Sequence, residues 1–300
     1  MVKFVFERFY LFAILMFCIL LLTYPATFSK DVLSGLALWG QNILPTLLPF
    51  VLFSKLILAT KTTSVKTFSI GKKFKFDTLL FRVYVNSLIC GYPIGAKCTS
   101  QLFFKRKIDS ATAFNLSLLC SNASPIYLIA TISNSFLGGF GAPILLCSHY
   151  LSAIVNWLIF RKKSNGFFCT FPAKEKPPID TMTDTIFTVL NVGGYVAVFY
   201  MISQMICFVF SLDPANPFVA FLMGLLEMTN GANLLSKCLD TKVVAPLISG
   251  LVSFGGLCVF FQTLPFIKQC KIKTAPYVIA KITQGAIATI LCWIFSLFTF

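Results

Sequence analysis

Apolar stretches of about twenty residues, long enough to cross a bilayer core as an α-helix, recur along this chain. They fall near 6–25, 36–58, 111–133, 140–160, 185–210, 243–267 and 275–299. Two further apolar segments, 78–104 and 217–236, are interrupted by Gly, Pro, Asn and charge, in SLICGYPIGAKC (87–98) and GLLEMTNGANLL (224–235). Such a chain has lipid as its main solvent, and lipid admits only structures that satisfy their own backbone hydrogen bonds. The composition agrees: 57% of the 300 residues are hydrophobic and 12% are charged, about half the charged fraction of a soluble domain. A soluble enzyme, a disordered chain and a secreted disulfide scaffold are all excluded on this ground.

The positive charge then orders the spans. A net charge of +15 reads as basic cytoplasmic loops facing an anionic leaflet, so the expected partners are membrane lipids and a small-molecule substrate, with no nucleic acid. If both interrupted segments crossed the membrane, the two sides would hold 11 and 12 basic residues, with no bias. If both turn back inside the membrane, 20 fall on the N-terminal side and three, Lys30, Lys237 and Lys242, on the other. Lys55 and Lys281 lie within spans. Turning back only the first gives 19 against four, so charge assigns the hairpin at 78–104 and leaves the second to other arguments. The N-terminus is expected to be cytoplasmic, with residues 1–30 forming a retained signal-anchor helix in which Lys3, Glu7 and Arg8 precede the apolar run.

The eleven cysteines form no CxxC pair and sit mostly in apolar runs, which fits neither zinc nor a disulfide framework. The single histidine, His149, lies in an apolar run and reads as a satisfied core residue. No nucleophile with a base, paired carboxylates or phosphate-binding loop is visible, so neither an enzyme nor a cofactor is expected.

The halves resemble one another. The run 36–58 answers 186–210, the interruption at Gly95-Ala96-Lys97 answers Gly231-Ala232-Asn233, LLCSNASPIY (118–127) answers LVSFGGLCVF (251–260), and 140–160 answers 275–299. Each half reads as helix, interrupted hairpin, interrupted helix, helix. Three crossings per half invert the second copy, a recurrent design of secondary transporters, and this favours the second hairpin too. The expected fold is therefore an all-α polytopic membrane protein with an inverted repeat, two re-entrant helical hairpins and two interrupted transmembrane helices. The first repeat spans 31–163 (hairpin 78–104), a cytoplasmic basic linker 164–184, and the second repeat 185–300 (hairpin 217–236).

Four clusters are candidates for solute binding. Around the first break, Gly91, Tyr92 and Gly95 expose backbone and Lys97 adds a cation that suits a carboxylate or phosphate; alternatively Lys97 snorkels to the interface. In the second, Ser121, Asn122 and Ser124 precede Pro125, which removes a helical donor; a polar helix-packing patch is the alternative. The third is Glu227, the one acid deep in an apolar run, with Thr229, Asn230 and Asn233. An intramembrane carboxylate is a candidate for proton or cation coupling, or else pairs with Lys281. The fourth is Ser253, Gly255 and Gly256 with Gln262, an unwound stretch or a site of close helix packing.

NILPTLLPF (42–50), GYPIGAK (91–97), CSNASPIY (120–127), Glu227-Met228-Thr229-Asn230-Gly231 and SFGG with Gln262 resemble the YlbJ-type sporulation integral membrane proteins. These belong to the nucleoside-recognition (Gate) domain group, which is similar in architecture to concentrative nucleoside transporters. The resemblance runs from about residue 36 to the C-terminus. It implies a multi-pass bacterial membrane protein, in sporulating cells at the outer forespore membrane, that moves dipicolinate, a planar dicarboxylate. Lys97 and the hairpin N–H groups would suit that solute, with Ser121, Asn122, Ser253 and Gln262 hydrogen-bonding it. The chain departs from the family where Cys258 and Phe260 follow SFGG, at positions where a Ser and a His are usual. The expected function is thus secondary transport of a small, anionic solute. A non-transporting membrane factor for spore maturation and a nucleoside-type transporter outside sporulation are the alternatives, and a homo-oligomer stays open.

Overall fold

The computed structural model describes residues 2–59, 78–105, 108–139, 141–163 and 178–298, and its regular structure is entirely helical. The first half runs α1 (Val2–Thr23), α2 (Pro25–Asn42), α3 (Leu44–Ala59), α4 (Thr78–Cys90), α5 (Ile94–Phe104), α6 (Ser110–Cys120), a π-helix (Tyr127–Phe136) and α7 (Ala142–Phe160). The second runs α8 (Pro178–Phe210), α9 (Pro217–Leu226), α10 (Met228–Cys238), α11 (Thr241–Phe254), α12 (Gly256–Gln269) and α13 (Thr274–Leu297). Most of the basic linker, 164–177, lies outside the described residues, and 178–184 already belong to α8.

Proline sets most of the breaks. Pro25 follows Tyr24, whose φ of −127° and ψ of 54° are not helical, as expected before a proline. The chain bends there by 107° between Ile14–Thr23 and Pro25–Asn42. Pro45 has no N–H for the Gln41 carbonyl and its ring crowds that carbonyl, so the apolar run 36–58 is not one helix: α2 ends at Asn42 and α3 begins at Leu44. Pro125 likewise divides 111–133 into α6 and the π-helix. Among the described residues, four stretches, Ala142–Phe160, Met182–Phe210, Thr241–Gln269 and Thr274–Leu297, are long and apolar enough to span a membrane, and the bent pair makes a fifth if it is counted as one span. The remaining apolar runs reach membrane length only as broken pieces.

Both interrupted segments are hairpins. Asn86 Nδ2 reaches Cys98 Sγ at 3.5 Å across the turn between α4 and α5. Gly224 on α9 and Gly231 on α10 are packed so closely that a Cβ on Gly231 would overlap the Gly224 backbone; in one continuous helix these residues would be about 10 Å apart. The hairpins enter from opposite ends of the bundle. At one end, Ser100 Oγ donates to Gln269 Oε1 at 2.6 Å, Ser110 Oγ to the Lys271 carbonyl at 3.4 Å, and Asn115 and Lys162 exchange two bonds of 2.8 Å. This end gathers the end of α5, the start of α6 and the ends of α7 and α12, and with them Lys105, Arg161, Lys162, Lys163 and Lys268. At the other end, the Tyr24 and Phe28 rings pack on Phe208, and Cys207 Sγ lies 3.5 Å from Met223 Sδ.

The outward faces are largely apolar, and polar side chains are buried within an otherwise apolar core, as lipid demands. On α13, Ile279, Ile282, Ile290 and Trp293 are exposed while Lys281 and Gln284 are buried. Glycine permits the closest approaches inside. Gly231→Ala is expected to destabilise the protein by about 2 kcal/mol or more, because backbone rather than a movable side chain blocks the added methyl. Gly40→Ala meets nothing within 4 Å and is expected to be neutral or stabilising by about 1 kcal/mol. Melting of the detergent-purified proteins compares the two.

Candidate functional site: four helix breaks around one cavity

Each hairpin tip leans on the interrupted helix of its own half. Gly91, with φ of +70°, sits so that a Cβ would come within 2.7 Å of the Ser124 nitrogen, and Gly95 is pressed against the Cys120 carbonyl. In the second half, Gly255 and Gly256 hold φ of +90° and +70°, a conformation open to glycine at no steric cost. A Cβ on Gly256 would lie 3.2–3.3 Å from the carbonyl oxygens of Gly224, Leu225 and Leu226. Each tip also reaches across to the other half. Tyr92 Oη donates to the Ser253 carbonyl at 3.4 Å, and the hydroxyls of Tyr127 and Thr229 share a bond of 3.0 Å.

The break at Ser121–Ser124 uses side chains to replace lost helix bonds. Pro125 cannot donate to the Ser121 carbonyl; Lys281 Nζ does so instead, at 2.9 Å. The Ala123 N–H donates to His149 Nε2 at 3.1 Å, and Tyr150 Oη donates to the Ala123 carbonyl at 2.8 Å. Because His149 Nε2 accepts, Nδ1 carries the proton and donates to Ser253 Oγ at 2.7 Å. One imidazole on α7 thus ties both interrupted helices together. Lys281 Nζ also donates to Tyr92 Oη at 3.0 Å and to Gln284 Oε1 at 2.7 Å, and Gln284 Nε2 donates to Asn122 Oδ1 at 2.6 Å.

Glu227 is the single non-helical residue between α9 and α10 and is 1% exposed. Its two oxygens accept from the N–H groups of Thr229 (3.1 Å) and Asn230 (2.6 Å). A carboxylate at a helix N-terminus answers both the orphan donors and the dipole, which is how this backbone supports a buried acid. Glu227 is not in ion-pair contact with Lys281; each has its own partners.

A cavity opens where the breaks meet. Its walls include Gly91, Tyr92, Ser124, Tyr127, Glu227 and Gln262, with Thr46 of α3 and the apolar side chains of Ile43, Leu47, Val192, Val196, Met228 and Val259. Of the candidates read from the sequence, Gly91, Tyr92, Ser124, Glu227 and Gln262 therefore face it. Ser121, Asn122, Thr229, Ser253, Gly255 and Gly256 hold the surrounding breaks, Gly95 packs the first tip, and Asn230 Nδ2 donates to Ser203 Oγ at 3.3 Å. Lys97 is placed elsewhere. Its ammonium meets Asp184 Oδ1 of α8 at 2.8 Å, and Lys55 of α3 takes the other oxygen at 2.8 Å. The direction of a side chain one turn from the tip is set by helix rotation and by an acid 87 residues away, neither of which local sequence shows. His149, Lys281 and Gln284 were missed as organisers; the spacing of Lys281 and Gln284, one helical turn apart in an otherwise apolar run, is the signal that marks them.

The fold thus defines a multi-pass helical membrane protein with paired hairpins and interrupted helices around a central cavity. The chain is similar to the sporulation integral membrane protein YlbJ of Bacillus subtilis (strain 168), 24% identical over 321 residues that take in 90% of this chain and 78% of that protein. This likeness bears out the YlbJ-type resemblance of the motifs. No family model and no solved structure matches the chain.

Two substitutions test these arrangements. His149→Phe removes both of its bonds and orphans the Ala123 N–H, an expected loss of about 1–3 kcal/mol that is read from the melting of the purified protein. Asp184→Asn leaves Lys55 and Lys97 side by side without compensation and is expected to lower the melting temperature more than Lys97→Met, which leaves Asp184 paired. Adding Lys97→Met to Asp184→Asn should then recover stability, a coupling that independent sites would not show.

Proposed function

We propose that the chain is a secondary transporter that carries a small solute across a membrane of sporulating cells, with its N-terminus cytoplasmic and dipicolinate as the first solute to test. The observation that carries this reading is the meeting of two hairpin tips, inserted from opposite ends of the bundle, with two interrupted helices around one cavity. Discontinuous helices converging on a central site are how many secondary transporters expose backbone groups to a solute, and such backbone is tolerated at depth only beside protein or a cavity. Each tip meets the opposite interrupted helix through a single hydrogen bond, Tyr92 to the Ser253 carbonyl and Thr229 to Tyr127, so these two bonds are what a moving hairpin would exchange there. Glu227 would hydrogen-bond the solute or hold the coupling proton or cation, with Gln262, Ser124 and Thr46 orienting the solute. The likeness to a sporulation integral membrane protein supports the setting.

One observation favours a second reading. Among the described residues no Lys or Arg lines this cavity, which suits a neutral polar solute of nucleoside type. Uptake of dipicolinate and of uridine into liposomes by wild type and Glu227→Gln separates the two. One solute is expected to accumulate, and folded Glu227→Gln is expected to slow its uptake by about tenfold or more. Equal, negligible flux of both solutes through folded wild type and variant would leave the non-transporting membrane factor as the better description.

A further inference from the structure

A second cavity lies on the far side of Tyr92. Phe254, Phe260, Thr263, Tyr277, Val278 and Lys281 line it, and it shares Tyr92 and Val259 with the cavity at Glu227. Lys281 is 4% exposed. Its three N–H groups go to three neutral oxygens, those of Tyr92, Ser121 and Gln284. Among the described residues no carboxylate lies within 4 Å of it: Asp184 is held by Lys55 and Lys97, and Glu227 faces the first cavity with both oxygens on backbone N–H groups. Lys281 is therefore satisfied in hydrogen bonds but not in charge, whereas buried charges in proteins are normally paired. The cavity beside it is walled by flat apolar groups, with the Phe260 and Tyr277 rings 6.4 Å apart and inclined by only 26°.

We propose that this second cavity is a carboxylate subsite, in which Lys281 is the counter-cation of a small planar anion whose flat body lies among the aromatic walls. The most replaceable of the three oxygens on Lys281 is Tyr92 Oη, at 3.0 Å the longest of the three bonds and carried on a hairpin tip. A carboxylate that takes its place gains a charge-assisted bond and detaches the tip from α13. The bond from Tyr92 to the Ser253 carbonyl, at 3.4 Å, then remains as the tip's tie to α11. Anion occupancy and hairpin release are linked through one side chain. The inference rests on the transport reading and deepens it by giving the solute's carboxylate a cation and a cavity, and it reconciles an anionic solute with a first cavity whose described lining has no Lys or Arg.

Binding at equilibrium tests the subsite apart from transport. Benzoate and benzamide have nearly the same shape and differ in charge, and each is titrated calorimetrically into the full chain in detergent. Wild type is expected to prefer benzoate by about tenfold or more, the factor that 1.4 kcal/mol corresponds to. Lys281→Met should abolish that preference, and Lys97→Met should leave it intact. Val278→Phe narrows the cavity while keeping Lys281 and its three partner residues in the chain and should also abolish it, which keeps the test open if Lys281→Met does not fold. Equal or undetectable binding of both probes to wild type overturns the subsite, as does a preference that survives in folded Lys281→Met or folded Val278→Phe. Liposomes that take up no solute while wild type still discriminates would remove the transport reading and leave the subsite standing. Uptake without any preference for benzoate in binding would remove the subsite alone.

Discussion

Backbone groups set free where a helix breaks must find protein partners when lipid surrounds the bundle, and the centre of this molecule is organised by that requirement. The break before Pro125 is the plainest case. Its Ser121 carbonyl is taken by Lys281 of α13, its Ala123 N–H by His149 of α7 and its Ala123 carbonyl by Tyr150 of α7. The last helix of each half thus closes on the same interruption. His149 continues to Ser253 of the second interrupted helix, and Lys281 continues to Tyr92 of the first hairpin. The polar groups that repair the backbone are also the ones that join the two halves.

The two halves solve the same problem with different residues. The first hairpin turns through Gly91, and an ion-pair cluster of Lys97, Asp184 and Lys55 binds its second helix to α3 and α8. The second hairpin turns through Glu227, which caps its own helix and carries its charge to the cavity wall. One hairpin is anchored to the long helices beside it, while the other keeps its acid within itself. Glu227 thus lines the central cavity, while Lys281 lies behind Tyr92 in the second one.

Much of this was legible in the residues. The 20 to 3 division of basic side chains pointed to segment 78–104 turning back, and the bond of Asn86 to Cys98 shows it folded as a hairpin. Glu227 stood out as the one acid deep in an apolar run, and it lines the cavity. Lys97, legible in sequence either as a cation for the solute or as an interface residue, turns to Asp184, because closeness to a tip along the chain says nothing about the side of a helix. His149 read correctly as a satisfied core residue, but its partners lie 26 and 104 residues away, and its part in joining the interrupted helices was invisible.

The sequence by itself determined that lipid is the solvent, that the chain is helical, and where several of the helices break, although it read 36–58 as one span. Apolar length, proline and glycine act within a few residues of themselves, so their consequences can be read locally. Which breaks meet, and which cation serves which acceptor, was decided only by tertiary structure. Lys281 finds Tyr92 across 189 residues and Ser121 across 160. Such pairings are selected by the packing of whole helices, because a buried ammonium accepts whatever oxygens the assembled bundle brings to it.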